Sequence, residues 1–363
     1  MKGSILNMAK VETNVSALNM IRESASENYK NLVPVATADN LQAVGNPILQ
    51  YSSVRNEFLE LLVNKIARPI ERARRYKNPL ALFKREGSPL TSDEEEIGVN
   101  PAEAESFNAT STDLLAQHIP DVKVAYHRMN RQEKYPQTVQ FAVMRSGFTS
   151  WGGFDNMVDM IVESLYNGNY IDEFKYTKQI IASTAITGAM AYKVLSLPED
   201  ETTAKAFVKS AKSVFNGFTF ASTQYNNWNR LGGSGNAYQS WSKPDEICLI
   251  MRSDISAEVD VEVLARAFNL DYAKFLGKVL LVDDFGEGAD DIFAIMCDRK
   301  FPVIIDKLNI IEDFRNGSNL STNYWLHVWQ TYSTSPLKNA CCFRTAEPVT
   351  PEPTPDTEPD TET

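Results

Sequence analysis

With 363 residues and 43% apolar content, the chain can fill a sizeable core and reads as a soluble globular protein of one large or two ordinary domains. Its formal charge of −11 includes six acids and no base in the last seventeen residues; the remaining −5 offers no basic excess of the kind that displaces counterions from nucleic acid, so any DNA contact is expected to be loose. The amino terminus has no apolar stretch fit to be a signal peptide. The weakly apolar run Ile180–Tyr192 is broken by Ser183, Thr184 and Thr187, so no membrane partner is expected.

The first predicted helix lies near Val15–Tyr29, followed by a turn-rich link and a helical pattern with Val54, Phe58, Leu61, Leu62 and Ile66 on one face; these make an arm and not a domain. From Lys65 to Glu86 the chain is basic, with Arg68, Arg72, Arg74 and Arg75 at its centre. The sign then reverses through Asp93, Glu94, Glu95, Glu96, Glu103 and Glu105. Such polar stretches have too little apolar area to offset the entropy of ordering them, so they need a neighbour. Val122, Val124 and Tyr126 alternate with Lys123, Ala125 and His127, which predicts one strand of a long polar ribbon.

Ser150 is a candidate N-cap for a long helix carrying Phe154, Met157, Val158, Ile161, Val162 and Leu165 at helical spacing. Continued to Thr187, with a disturbance at Gly168, this helix would reach roughly 50 Å and act as a spine. An amphipathic helix follows (Ala204, Phe207, Val208, Ala211, Val214, Phe215), then an Asn, Ser and Gly-rich loop over Asn226–Gly235. A strand at Ile247–Met251, a helix at Val261–Phe268 and a strand at Lys278–Val282 complete an α/β unit. From Ile292 to Phe343 short apolar strands are expected, and the Pro, Thr and acid tail from Glu347 reads as disordered.

Catalytic patterns are weak. His118, His127 and His327 are scattered and read as structural. The acids Asp283, Asp284, Glu287, Asp290 and Asp291 could hold a hard cation, as a metal-dependent hydrolase would require, but they lack the EF-hand spacing and read better as a solvated loop between strands. LGGSG (Leu231–Gly235) has no following GK[ST] and reads as a turn. Cys248, Cys297, Cys341 and Cys342 read as buried thiols, with Cys341 and Cys342 on opposite faces of a strand.

The stretches HRMNRQEKYPQTV (His127–Val139), SWGGFDNMVDMIVESLYNGNYIDEFKYTK (Ser150–Lys178), DVEVLARAFNLDYAKFLGKVLLVDDF (Asp260–Phe285) and NYWLHVWQTYS (Asn323–Ser333) resemble, in the same order, the major head proteins of phi 29-like phages. The resemblance implies an α+β Hong Kong 97-type capsid fold: an N-terminal arm and helices (1–67), an E-loop (68–138), a P-domain with the spine helix (139–195), an A-domain (196–291), P-domain strands (292–345) and the acidic tail (346–363). It implies a non-enzymatic shell protein without cofactors, assembled in the bacterial cytoplasm into hexamers and pentamers of a virion head. The implied partners are its own copies, a scaffolding protein, a portal protein and packaged double-stranded DNA. An encapsulin-like compartment shares the fold and is the structural alternative. The phi 29-type head protein continues into an immunoglobulin-like domain not matched here, so no role of that domain carries over. With the fold in mind, Arg72, Arg74 and Arg75 on one copy and Glu94, Glu95 and Glu96 on the next are the candidate subunit-interface residues.

Overall fold

The structure, a computed structural model, describes residues 14–62, 76–87, 93–106, 117–158, 161, 164–231, 237–259 and 279–348. In chain order the elements are α1 (14–24), α2 (Glu27–Leu32), α3 (Leu41–Gln50), α4 (Ser52–Leu61), a 3-10 turn Ala81–Phe83, β1 (Lys84–Arg85), β2 (Glu94–Val99), β3 (Val122–His127) and β4 (Arg131–Gln140). There follow α5 (Phe141–Gly147), α6 (Trp151–Val158), α7 (Ser164–Ile186), β5 (Ala191–Val194), α8 (Glu201–Phe218), β6 (Ile247–Arg252) and α9 (Ser253–Glu258). The last are β7 (Val279–Val282), β8 (Ile292–Asp298), β9 (Pro302–Asn316), β10 (Ser321–Thr334) and β11 (Ala340–Arg344). Among the described residues no helix is long and apolar enough to cross a membrane.

Contacts group the chain into two units, each assembled from three stretches of sequence: 1–78, 130–173 and 306–330 in one, 79–129, 174–305 and 331–363 in the other. In the first unit, the predicted 15–29 helix is two helices. The Ser26 hydroxyl accepts the Tyr29 N–H at 3.3 Å, caps α2 and so separates it from α1. The expected turn-rich link holds a further helix, α3, despite Pro47, whose missing N–H leaves one carbonyl without its usual donor. Gly45 is required there by close packing, since a Cβ would stand 2.6 Å from the Phe148 side chain. The core of this unit joins Ile21, Tyr29, Ile48, Val54, Phe58, Phe148, Phe154, Ile161, Leu165, Tyr324 and Leu326. Phe148 centres it, with ring centroids 5.4 Å from Phe58 and 5.7 Å from Phe154. Strand β4 pairs antiparallel with β10 from Arg131↔Gln330 to Gln140↔Ser321.

Ser150 is the expected cap: its hydroxyl accepts the N–H of Gly153, the third residue of helix α6, at 3.1 Å. Gly168 does not disturb the spine, because it lies inside the uninterrupted α7, where a Cβ would come within 3.2 Å of the Tyr135 ring. Its role is close packing. The 23 residues of α7 span about 35 Å, and residues 159–160 and 162–163 lie outside the described set.

The second unit is built on a five-stranded sheet in the order β5-β11-β8-β6-β7. Strand β8 is antiparallel to both neighbours, whereas β5 and β7 pair in parallel with β11 and β6. Every residue of β8 is buried, as a strand covered on both faces must be. On one face α8 packs Phe207, Ala211, Val214 and Phe218 against Leu249, Met251, Phe293 and Phe343. Phe207 stands edge-on to Phe293 at 5.4 Å and to Phe343 at 5.2 Å. Helix α8 starts at a capping box in which the Asp200 carboxylate accepts the Thr203 N–H at 2.7 Å. Against the other face lie Ile181, Ala182, Ala185, Phe285 and Phe301. Cys341 belongs to the first cluster and Cys342 to the second, the two faces expected of adjacent strand residues.

A further expectation changes. Strands β9 and β10 are long, at 15 and 14 residues, and not short. Only the first part of β9 is continuously buried, so its apolar signal fades before the strand ends. The predicted helix Val261–Phe268 lies outside the described residues, as do Ile66 and the tail beyond 348.

Candidate assembly surface

Strands β2 and β3 form a two-stranded antiparallel ribbon, with Glu94 opposite His127, Glu96 opposite Ala125, and Val99 opposite Val122. Alternation places Glu94, Glu96, Gly98, Lys123, Ala125 and His127 on one face and Glu95, Ile97, Val99, Val122, Val124 and Tyr126 on the other.

The polar face is the inner one. Lys123 and His127 are buried. His127 places Nδ1 2.9 Å from the Ser333 hydroxyl and Nε2 3.3 Å from the Glu96 carboxylate. Glu96 also lies 3.8 Å from the Lys338 ammonium. Burial alone would raise the Glu96 carboxyl, but hydrogen bonds from His127 and Ser335 and the Lys338 charge outweigh it and hold the group below the usual carboxylate range. Lys123 donates to Asp121 at 2.7 Å, and its ammonium stands 6.0 Å from the centre of the Trp228 ring. Gly98 lets the ribbon sit down on Tyr238, since a Cβ would meet that ring at 2.9 Å. Asn100 fastens the end by donating to Asp121 at 2.7 Å and to the Ala237 carbonyl at 3.0 Å while accepting the Gln239 N–H at 2.9 Å.

The apolar face therefore looks outward. Exposure is 60% for Ile97, 51% for Val99, 48% for Val122 and 63% for Tyr126, a contiguous patch that an isolated subunit has no reason to present. The alternation was legible, but its direction depends on the partners supplied from Tyr238, Ser333 and Lys338, far away in sequence.

Of the residues singled out as an interface, Arg72, Arg74 and Arg75 lie outside the described set. Glu95 is exposed, and the Tyr126 hydroxyl reaches its carboxylate at 3.4 Å. Glu96 is committed to its own chain. The acidic stretch after β7 is a loop between strands, as read, and three of its acids, Asp283, Asp284 and Asp291, have partners. Lys178 binds Asp283 and Asp284, and Arg344 meets Asp291 at 2.6 Å. Burial would depress the Lys178 ammonium, but hydrogen bonds to Asp283 and Asp284 more than reverse this. Among the described residues no group of three His, Cys, Asp or Glu side chains could hold a metal ion.

The Asn-rich segment is a loop, as expected, but where it is described it turns side chains inward. Asn226 is fully buried and donates to the Tyr238 carbonyl at 2.8 Å and to Ser240 at 3.1 Å. Ser240 in turn donates to Asn339 at 2.6 Å. The signal that could have revealed this is the run of hydrogen-bonding side chains itself, read as interior and not as solvent-facing.

The described fold resembles two solved phage shells at identities that speak for the fold alone. The capsid structure of Staphylococcus phage Andhra superposes with a TM-score of 0.62 at 14% identity over 76% of this chain and 86% of that chain. For the capsid of cyanophage P-SCSP1u the TM-score is 0.51 at 9% identity over 80% and 94%. The α+β architecture is the Hong Kong 97-type fold of phage capsid subunits.

Sequence comparison narrows the class. The profile of the Phi29-like phage major capsid protein family matches residues 18–344, and the chain belongs to that family. It is 34% identical to the major capsid protein of Bacillus phage B103 over 92% of this chain and 73% of that protein. Against the major capsid protein of Streptococcus phage Cp-1 it is 29% identical over 90% and 93%. It thus forms the shell of a tailed-phage virion by self-assembly.

Proposed function

We propose that the chain builds hexamers and pentamers of the head and that the β2–β3 ribbon is the element by which one copy grips the next. The observation that carries this reading is the ribbon's inverted polarity: its charged face is anchored within the chain and its apolar face, with Ile97, Val99, Val122 and Tyr126, is left for another surface. A contact repeated around each capsomer needs only modest strength in any single copy.

The same proposal assigns 1–67 to an arm, 68–138 to the E-loop, 139–195 and 292–345 to the P-domain, and 196–291 to the A-domain, with 346–363 as the acidic tail. Of the acids Glu94, Glu95 and Glu96, it is Glu95, on the outward face, that Arg72, Arg74 and Arg75 of the next copy meet, while Glu94 and Glu96 lie on the face turned to their own chain. Assembly takes place in the bacterial cytoplasm with a scaffolding protein and a portal protein, and the finished shell touches double-stranded DNA only loosely, in keeping with the net negative charge. Replacing Arg72, Arg74 and Arg75 by Glu is expected to leave a folded subunit, by circular dichroism, that sediments without forming shells. Rising salt should weaken wild-type assembly. Shells of normal yield from the triple variant would overturn the charged part of the reading.

A further inference from the structure

A half-open cavity of about 70 Å³ lies in the first unit, lined by Arg55, Val139, Phe141, Met144, Arg315, Leu320 and Thr322. Val139, Met144 and Thr322 are buried, so its floor is apolar with a hydroxyl. Two guanidinium groups reach it from different elements, α4 and the far end of β9.

Arg55 is only 7% exposed. One of its nitrogens donates to the Leu49 carbonyl at 3.2 Å, and its guanidinium carbon stands 5.1 Å from the centre of the Phe141 ring. Neither contact neutralises the charge. Among the described residues neither Arg55 nor Arg315 has a carboxylate within ion-pair distance. A buried cation without a counter-charge is unfavourable, and a second cation lining the same cavity makes it more so. Burial, and then the Arg315 charge, hold the Arg55 guanidinium below its ordinary value, although a guanidinium remains protonated at neutral pH.

We infer that this cavity is a binding site for one small oxoanion of the phosphate class, held between Arg55 and Arg315 with the Thr322 hydroxyl as a further donor. The guanidinium fork suits a tetrahedral or planar oxoanion through paired N–H donors. The volume, several times that needed by one water, admits a group of that size but not a chain segment. The bound anion would tie α4 to the β9–β10 hairpin end, because the two arginines that hold it come from these elements.

The test uses the full-length subunit before assembly, melted in sodium phosphate and in sodium chloride of equal ionic strength. Wild type is expected to melt several degrees higher in phosphate, with an effect that saturates. Arg315→Met is expected to abolish that increment and to weaken phosphate binding by about tenfold or more in calorimetric titration. In chloride the same variant should melt no lower than wild type, since it removes a like charge. That behaviour separates loss of a ligand from loss of a fold, which Arg55→Gln alone would not do because Arg55 also holds Leu49 and Phe141. No phosphate-specific rise in the wild type, or an undiminished rise in Arg315→Met, would overturn the assignment. A rise with acetate but not with phosphate would also overturn it and point to a carboxylate from another copy.

Discussion

The outward face of the ribbon can be tested through the concentration at which shells form. Ile97, Val99, Val122 and Tyr126 each leave about half of the side chain in solvent. Full burial of such a side chain is worth about 1.5–3 kcal/mol, so covering the exposed half contributes about 1 kcal/mol per residue. The double substitution Ile97→Thr and Val122→Thr keeps β-branched residues in both strands but removes much of two such contributions, about 1–2 kcal/mol per contact. The entropic cost of association is common to both proteins and cancels in the comparison. At about 1.4 kcal/mol per factor of ten, the critical concentration for assembly should rise about 5- to 30-fold. Light scattering and sedimentation over a dilution series measure it, under one set of assembly conditions for both proteins. An unchanged critical concentration would refute the docking role. A fall of several degrees in the melting temperature of the free subunit would instead show that this face packs within its own chain.

Ile161 is fully buried in the first unit, and Ile161→Ala should cost about 2–5 kcal/mol, read as a lower urea midpoint; a wild-type midpoint would show that the site is not core. Glu96 titrates below the usual carboxylate range, so its stabilisation is present above that range and is lost as pH falls through its depressed value. Amide exchange in β2 and β3, corrected for intrinsic rates, should therefore accelerate on acidification from about pH 5 to pH 3, and Glu96→Gln should flatten the dependence. Burial pushes the Cys342 thiol up to about 12 and Cys341 higher still, so a thiol reagent at pH 8 should label them no faster than the subunit unfolds. Rapid labelling of the folded subunit would contradict that burial.

Sequence patterning carried the elements whose burial is periodic along their whole length. Helix α8 is the clearest case: Phe207, Ala211, Val214 and Phe215 define its inner stripe, and all four are buried. The pattern failed where chain-distant groups decide. Helix α3 contains Gly45 and Pro47, two breaking signals, and survives because Phe148 needs the space at Gly45 and the core holds Leu41, Val44 and Ile48. The end of β9 was hidden because exposed and half-buried residues do not alternate cleanly along its second half. For the ribbon, alternation was visible at Val122–His127, yet the usual rule of apolar side inward gives the wrong direction here. Nothing local to β2 and β3 announces that Lys338, Ser333 and Tyr238 will receive the charged side.

The position of β11 bears on how the protein is made. This strand, the last of the described elements, is inserted between β5 and β8, both synthesised earlier. Until Ala340–Arg344 leaves the ribosome, those two strands carry open edges with unpaired backbone groups, and both apolar sides of the future sheet lack Cys341, Cys342 and Phe343. A nascent chain of this topology cannot finish its larger sheet piecemeal and depends on contacts of long sequence separation, which are slow to form. The interval of vulnerability to aggregation thus lasts from the emergence of β5 until that of β11, while the long stretch between them is being synthesised.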